Sequence, residues 1–265
     1  MAREHTVVRG IVLRESDSKE SDKILTVLTG EMGKITVIAK GARSRRSRVG
    51  AAAQLLAYSE MVLSESHGWQ YLTEASTIEL FGGVRSDVEL LSLGSYFSEL
   101  VDFVTTDNAE ASALLSLLLN ALYALGALHR PQELVKAAFE LRLMAMIGFE
   151  PLFDSCSACG AVEPSEPVFA LDEGLLLCRG CAERTRAAAL TPGALQAIRH
   201  VLYGDAKRLY SFSLREEDQT RFAQAAESYV CAMLDRNFRT LSFYKSLKIG
   251  FTSQKMITNG INNSE

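Results

Sequence analysis

Ile24-Leu-Thr-Val-Leu-Thr-Gly-Glu-Met-Gly-Lys-Ile-Thr-Val-Ile-Ala-Lys40 is the stretch on which the fold class turns. Two β-branched runs, Ile24–Thr29 and Lys34–Lys40, flank Gly30-Glu31-Met32-Gly33. Such a pair joined by a short glycine-containing link reads as a β-hairpin. Upstream, Thr6–Leu13 is a third Val/Ile-rich run, and downstream Tyr58–Leu63 and Trp69–Glu74 form a second pair around Ser66-His67-Gly68. Five short strands so close together predict a small closed barrel. The OB-fold is the five-stranded member of that class, with an SH3-like barrel as its nearest competitor.

From about residue 86 the apolar period changes from two to 3.6. Ser86-Asp87-Val88-Glu89 reads as a capping box for a helix to about Val104, with the serine serving the exposed N–H groups and Glu89 reaching back. Asp107 is expected to begin a second helix running to about Leu128. Pro131 suits the first turn of a third, which Gly148 ends, and Thr191-Pro192 starts a fourth. A long helix over Glu216–Arg236 puts Phe222, Ala225, Ala226, Tyr229, Met233 and Leu234 on one face, which reads as core packing. The fold class is therefore α+β, an N-terminal OB-fold barrel followed by an α-helical domain that carries a cysteine module. Its expected boundaries are 1–82 for the barrel, 83–149 and 187–249 for the helices, and 150–186 for the module. The polar, Asn-rich tail 250–265 reads as disordered.

That module is set by Cys156-Ser-Ala-Cys159 and Cys178-Arg-Gly-Cys181, with 18 residues between the pairs. The spacing falls in the window for a tetrahedral zinc site, because two intervening residues let one tight turn present both sulfurs to one ion. Gly160 and Gly180 are expected to give those turns their freedom. Val168–Leu171 and Leu175–Leu177, around Asp172-Glu173-Gly174, read as a hairpin of a zinc-ribbon-like module. Four thiolates fill zinc's coordination, so the ion is structural rather than catalytic. Two disulfides, which a cytosolic chain disfavours, a dithiol redox centre or an iron–sulfur site are the rivals, and Cys231 stands apart as a small packed residue.

Composition is that of an ordinary globular chain: 265 residues, 48% hydrophobic and 23% charged, which excludes a wholly disordered chain, a collagen repeat or a disulfide mini-scaffold. The net charge of −4 conceals a split, since residues 1–50 carry 11 Lys/Arg against 6 Asp/Glu. The first 50 residues are thus +5 and the remainder −9, an asymmetry that signals a basic surface for a polyanion. Met32 to Ser59 contains no acid, while Lys34, Lys40, Arg43, Arg45, Arg46 and Arg48 all fall there. Gly41–Gly50 reads as a flexible arginine loop. Guanidinium groups match phosphate oxygens in pairs, so these six are the candidate nucleic-acid ligands, with Tyr58, Trp69 and Tyr71 as possible stacking surfaces. Trp69 and Tyr71 share a strand face, and either could instead fill the core.

Ala111–Leu128 is free of charge, but Ser112, Ser116 and Asn120 recur every four residues and make a polar stripe, which fits a helix bundle better than lipid. Arg3, Glu4, Arg9 and Arg14 leave no apolar run for a secretory signal. The chain reads as cytoplasmic and nucleoid-associated. No G-x-x-x-x-G-K-[ST], H-E-x-x-H or G-x-S-x-G motif occurs, so no enzyme is expected.

Phe139-Glu-Leu-Arg-Leu-Met144, Gly148-Phe-Glu-Pro151, Cys156-x-x-Cys159-Gly160 and Cys178-x-x-Cys181 follow a small basic barrel in that order. The arrangement resembles the bacterial RecO family of DNA-repair and recombination mediators over about residues 3–247. The resemblance implies a non-enzymatic protein that binds single- and double-stranded DNA through its OB-fold and anneals complementary strands. It also implies action with RecR, often with RecF, to load RecA on DNA coated by single-strand-binding protein. Some members lack the zinc cysteines, whereas this chain has all four. Glu133, Lys136 and Glu140 mark the expected solvent face of the third helix, and Arg142 lies on the opposite side. Arg142 reads either as the partner of an internal carboxylate or as a receptor for the acidic, apolar tail of single-strand-binding protein. Arg199, Lys207 and Arg208 are the other candidates for that tail. Arg179, Arg184 and Arg186 could carry the module to DNA, though a scaffold role is favoured. The competing functions are a zinc-ribbon/OB-fold RNA-binding factor and an enzyme assembled from loops.

Overall fold

A Val/Ile-rich run, continuously buried from Gly10 to Leu13, builds the first element of the computed structural model, which describes residues 5–248 apart from Asn108 and Arg184. Strands β1 (His5–Ser18), β2 (Asp22–Thr29), β3 (Lys34–Ala39), β4 (Tyr58–Ser66) and β5 (Trp69–Glu79) close into a barrel in the order β1-β2-β3-β5-β4. All five predicted strands are present, and closure by parallel pairing of β3 with β5 gives the OB-like topology. The long β1 serves two neighbours: His5–Ile11 pairs with β4 and Gly10–Ser18 with β2, with a register shift between Val12 and Arg14. Gly10 sits at the overlap. A β-carbon there would press on the Val27 side chain and the Leu28 carbonyl, so glycine is what lets the sheet curl. Val12, Leu25, Val27, Val37, Met61, Leu63 and Leu72 fill the interior.

The basic segment is packed onto the barrel on either side of its arginines. Ala42, Val49, Ala52, Ala53, Leu56 and Ala57 are all buried, and Ala42, Val49 and Ala53 join the barrel core. These small residues peg the 40–57 connection down. Arg85 ties its end, donating from Nε to the Leu80 carbonyl, from Nη1 to Gln54 Oε1 at 3.0 Å, and from Nη2 to the Leu55 carbonyl.

After the short α1 (Gly82–Arg85) comes α2 (Val88–Val104), whose cap differs from expectation. Asp87, not Ser86, is the N-cap: its carboxylate accepts from the N–H groups of Glu89 and Leu90 at 2.8 and 3.0 Å, while the Ser86 hydroxyl turns back to the Gly83 carbonyl. Helix α3 (Ser112–Gly126) begins five residues later than expected, because Asp107 bridges to Gly33 and Lys34 and Ala111 N–H bonds to the Gly30 carbonyl. Its Ser112, Ser116 and Asn120 stripe is exposed, as the spacing predicts. No helix among the described residues is long and apolar enough to cross a membrane. Residues 239–248 are also helical. Phe238 meets Tyr96 and Phe103 edge-on, with ring centroids 5.8 and 6.0 Å apart, and Thr240 donates to Glu99. Among the described residues, one compact unit accordingly comprises residues 5–126 and 238–248, the other 127–237.

In the second unit, α4 (Gln132–Met146), α5 (Pro192–Tyr203) and α6 (Glu216–Met233) accompany a three-stranded sheet, β7-β6-β8. Thr191 caps α5 through the Ala194 N–H, and Gly148, at φ 92°, follows the end of α4. Strands β6 (Pro167–Ala170) and β7 (Leu175–Cys178) are the expected hairpin; β8 (Ala187–Ala189) adds an edge that alanines did not announce. The predicted solvent face of α4 is wrong. Lys136 and Glu140 are 3% and 0% exposed and form an internal ion cluster, with Lys136 Nζ 2.8 Å from Glu140 and 2.9 Å from Glu227 of α6. Burial alone would push the Lys136 ammonium down, but the two carboxylates outweigh it and hold its pKa above the ordinary value. Helix α6 buries Phe222, Ala225, Ala226 and Tyr229 as its pattern predicts, and Val230 besides, but it ends at Met233 rather than Arg236, and Met233 and Leu234 are only half-buried.

Candidate nucleic-acid interface and metal centre

The six cations of the basic segment divide by what surrounds them. Lys34 is held inside the fold: its ammonium lies 3.2 Å from Asp102 Oδ1 and 2.7 Å from the Asp102 carbonyl, with Asp107 at 3.7 Å. Arg43 is exposed but anchored, pairing with Asp17 at 3.3 Å and with the Glu20 carbonyl at 3.3 Å. Lys40 lies over the Tyr71 ring, 4.6 Å from its centroid, within cation–π range. Arg45, Arg46 and Arg48 are exposed, and among the described residues they make no ion pair. Turns at Ser44 and Ser47 space them, through Ser44 N–H to the Gly41 carbonyl and Ser47 N–H to the Ser44 carbonyl. Ala42 and Val49 are buried at either end of the run, and the residues between them, the arginines included, are left toward water. The result is three unneutralised guanidinium groups on a pegged backbone, which can offer paired N–H donors to phosphate without first breaking an internal contact.

Trp69 does not fill the core. It is 51% exposed, whereas Tyr58 and Tyr71 are half-buried.

The four cysteines converge. Their Sγ atoms all lie within 4.8 Å of one another, and Cys159 and Cys178 are 3.6 Å apart. A tetrahedral site with metal–sulfur bonds of about 2.3 Å needs sulfurs about 3.8 Å apart, so the donor set fits a single ion. The strands deliver it: Cys178 ends β7, Cys181 follows in a single 3-10 turn, and Cys156 and Cys159 lie on a turn closed by the Gly160 N–H to the Cys156 carbonyl. Gly160 needs its left-handed φ of 77°, but Gly180 is not in that region, so only one of the two expected glycines serves this purpose. Burial would raise the Cys156 thiol, yet donation from the Cys159, Cys178 and Ala158 N–H groups overrides it and brings the pKa to about 6. Cys178 moves the other way, to about 12, through its hydrogen bond with the Cys159 thiol, desolvation and the neighbouring sulfurs. The Cys156 thiolate forms readily while Cys178 and Cys181 resist, because clustered negative charge needs a cation to balance it. Cys231 lies apart on α6.

The candidate partner residues also divide. Among the described residues Arg142 pairs with no carboxylate; its Nη1 donates to the Val201 and Leu202 carbonyls at 3.3 and 2.9 Å, near the end of α5. Those carbonyls have no partners further along the helix, so a cation suits them. Arg199 bonds the Phe153, Asp154 and Val162 carbonyls and the Glu163 carboxylate, holding the lead-in to the cysteine turn. Lys207 and Arg208 are exposed on the single turn Ala206–Arg208. Arg186 pairs with Asp172 at 3.1 Å. Arg184 and the tail 250–265 lie outside the described residues.

Comparison with known proteins agrees with this arrangement. Residues 1–81 match the family described as recombination protein O N terminal, and residues 85–242 match recombination protein O C terminal. A DNA repair protein RecO from Acetivibrio thermocellus is 32% identical over 90% of this chain and 95% of its own length. Another from Symbiobacterium thermophilum is 33% identical, over 91% and 97%. A third, from Caldicellulosiruptor saccharolyticus, is 30% identical over 91% and 98%.

Proposed function

Because the chain belongs to the recombination protein O family, we propose that it works as a DNA-repair and recombination mediator that grips DNA through the arginines of its barrel. The observation that carries the reading is the state of Arg45, Arg46 and Arg48, exposed and without an ion pair among the described residues, on a connection in which Ala42, Ala52, Ala53 and Ala57 are buried. An arginine already neutralised inside the fold gains little from a phosphate; these three gain the full interaction and release the counterions condensed on DNA. Lys40 and Arg43 extend the same surface, and Lys34 does not, since it is committed to Asp102. Neutralising two phosphate backbones at once lets complementary strands approach, which is how a protein without a catalytic group promotes annealing.

The metal in this reading is zinc, one ion held by Cys156, Cys159, Cys178 and Cys181. Four thiolates suit zinc and leave no open position, so the ion supplies folding energy to the 150–186 module and nothing to a reaction. RecR, RecF and RecA enter as partners through family membership. For the acidic, apolar tail of single-strand-binding protein, Lys207 and Arg208 are the cations free to receive its carboxylates. Arg142 and Arg199 are committed to carbonyls within the fold. In this reading residues 1–82 are the DNA-binding domain.

Equilibrium binding of single-stranded DNA, duplex DNA and RNA, followed by annealing of complementary strands in the presence of single-strand-binding protein, tests the proposal. Binding to both DNA forms with accelerated annealing is expected. Preference for RNA with no annealing would overturn it.

A further inference from the structure

The chain's only tryptophan stands on the outside of the barrel. Trp69 is held there rigidly: Ser66 and Trp69 close the β4–β5 hairpin, and both residues between them take left-handed backbone, His67 at φ 53° and Gly68 at φ 75°. That two-residue turn with positive φ at each position matches the twist of the strands and fixes the direction of the first β5 side chain. Leaving half of an indole in water forfeits a large apolar contribution, and this fold has no steric need for it, since Leu72 and Val37 fill the interior at that level.

The surroundings say what the indole faces. In the parallel β3–β5 pairing Ile38 lies beside Tyr71, and in β2–β3 Ile24 lies beside Ile38. Trp69 shares the outer face of β5 with Tyr71, so Ile24, Ile38, Tyr71 and Trp69 form an apolar and aromatic stripe across the barrel. Lys40, two residues beyond Ile38, covers the Tyr71 ring and leads directly into the arginine segment. At about 3.3 Å per residue, Trp69 and Lys40 stand about 13 Å apart along the strands, a span of a few nucleotides. A flat, exposed ring at one end of a stripe and three unpaired guanidinium groups at the other match a strand whose bases and phosphates are both accessible. In a duplex the base faces are already stacked and cannot meet the indole.

We infer that Trp69 stacks an unpaired base of single-stranded DNA, so that the barrel senses strand state through the indole and attracts either form of DNA through Arg45, Arg46 and Arg48. This rests on the DNA-binding reading above and deepens it.

Because Trp69 is the only tryptophan, its emission reports the contact directly in the full chain. Titration with oligo(dT) is expected to quench it to saturation, and a duplex of the same length is expected to leave it nearly unchanged. Trp69→Ala should weaken oligo(dT) binding by between about 5- and 150-fold, the loss of one base–aromatic stack, and duplex binding by no more than about twofold. Trp69→Phe should recover most of the affinity, and far-UV circular dichroism should match the parent in both variants. Unchanged emission at saturating oligo(dT), or Trp69→Ala weakening both DNA forms alike, overturns the inference while leaving the arginine-dependent binding intact. Absence of binding to either DNA form overturns the inference together with the function on which it rests.

Discussion

Lys34 Nζ stands 3.2 Å from Asp102 Oδ1, so a β3 cation that the sequence groups with the arginines belongs instead to the junction between the barrel and α2. Asp102 also receives Arg14 at 3.9 Å, and Lys34 reaches its backbone carbonyl as well. The lysine therefore holds a helix in place, while Arg45, Arg46 and Arg48 hold nothing.

Lys34→Ala should accordingly lower stability by on the order of 1–2 kcal/mol, the loss of a half-buried pair and its carbonyl bond, and leave the salt dependence of DNA binding unaltered. Urea denaturation and binding isotherms at several salt concentrations measure the two effects separately. A stable variant with a flatter salt dependence would place Lys34 on DNA.

Asp87→Ala should cost about 1 kcal/mol through loss of the α2 cap, with Asp87→Ser restoring most of it and Ser86→Ala close to neutral. The expected order follows from the two N–H groups that the Asp87 carboxylate receives. Thermal melts of the three variants settle which residue caps the helix.

The ion cluster of α4 and α6 carries a pH signature. The carboxylates of Glu140 and Glu227 hold Lys136 above its ordinary 10.5 against the effect of burial. A lysine whose folded pKa exceeds its unfolded one adds stability that is complete below the unfolded value and is lost as pH rises through the folded one. The parent should therefore lose stability with pH above about 10.5 more steeply than Lys136→Met. At neutral pH that variant should be less stable by about 3–5 kcal/mol, since it strands buried carboxylates. Denaturant midpoints across the alkaline range give both numbers, and equal slopes would contradict the cluster.

Removal of the metal should release one zinc per chain and lower the melting temperature, and Cys178→Ser should weaken metal binding by orders of magnitude. Metal analysis before and after chelation, paired with calorimetry, checks both; a chain that binds no zinc and melts unchanged would contradict the assignment.

The barrel was legible because Thr6–Leu13 is rich in Val and Ile and because inward Ile35, Val37 and Ala39 alternate with Thr36 and Ile38 in Lys34–Lys40, the marks of strands bounded by turn residues. The metal centre was legible because its ligands repeat at fixed spacing. What escaped was non-local. Lys136 and Glu140 look like a surface i,i+4 pair until Glu227 arrives from α6 to make them an interior cluster. Ala42, Ala52 and Ala53 carry no hydrophobic signature strong enough to announce that the arginine segment is pegged down. Ala187–Ala189 lacks the β-branched residues that mark a strand, and becomes one only because β6 offers an edge. Which cations face water was therefore not readable from the run of basic residues; it depends on Asp17, Asp102 and Asp107 folding back on it.

The salt dependence of single-stranded DNA binding tests the central claim most directly. With each phosphate contact contributing about 0.7 to the slope of log affinity against log salt, replacing Arg45, Arg46 and Arg48 together by alanine should flatten that slope by about 2. A triple variant that folds like the parent and keeps its slope would contradict the account.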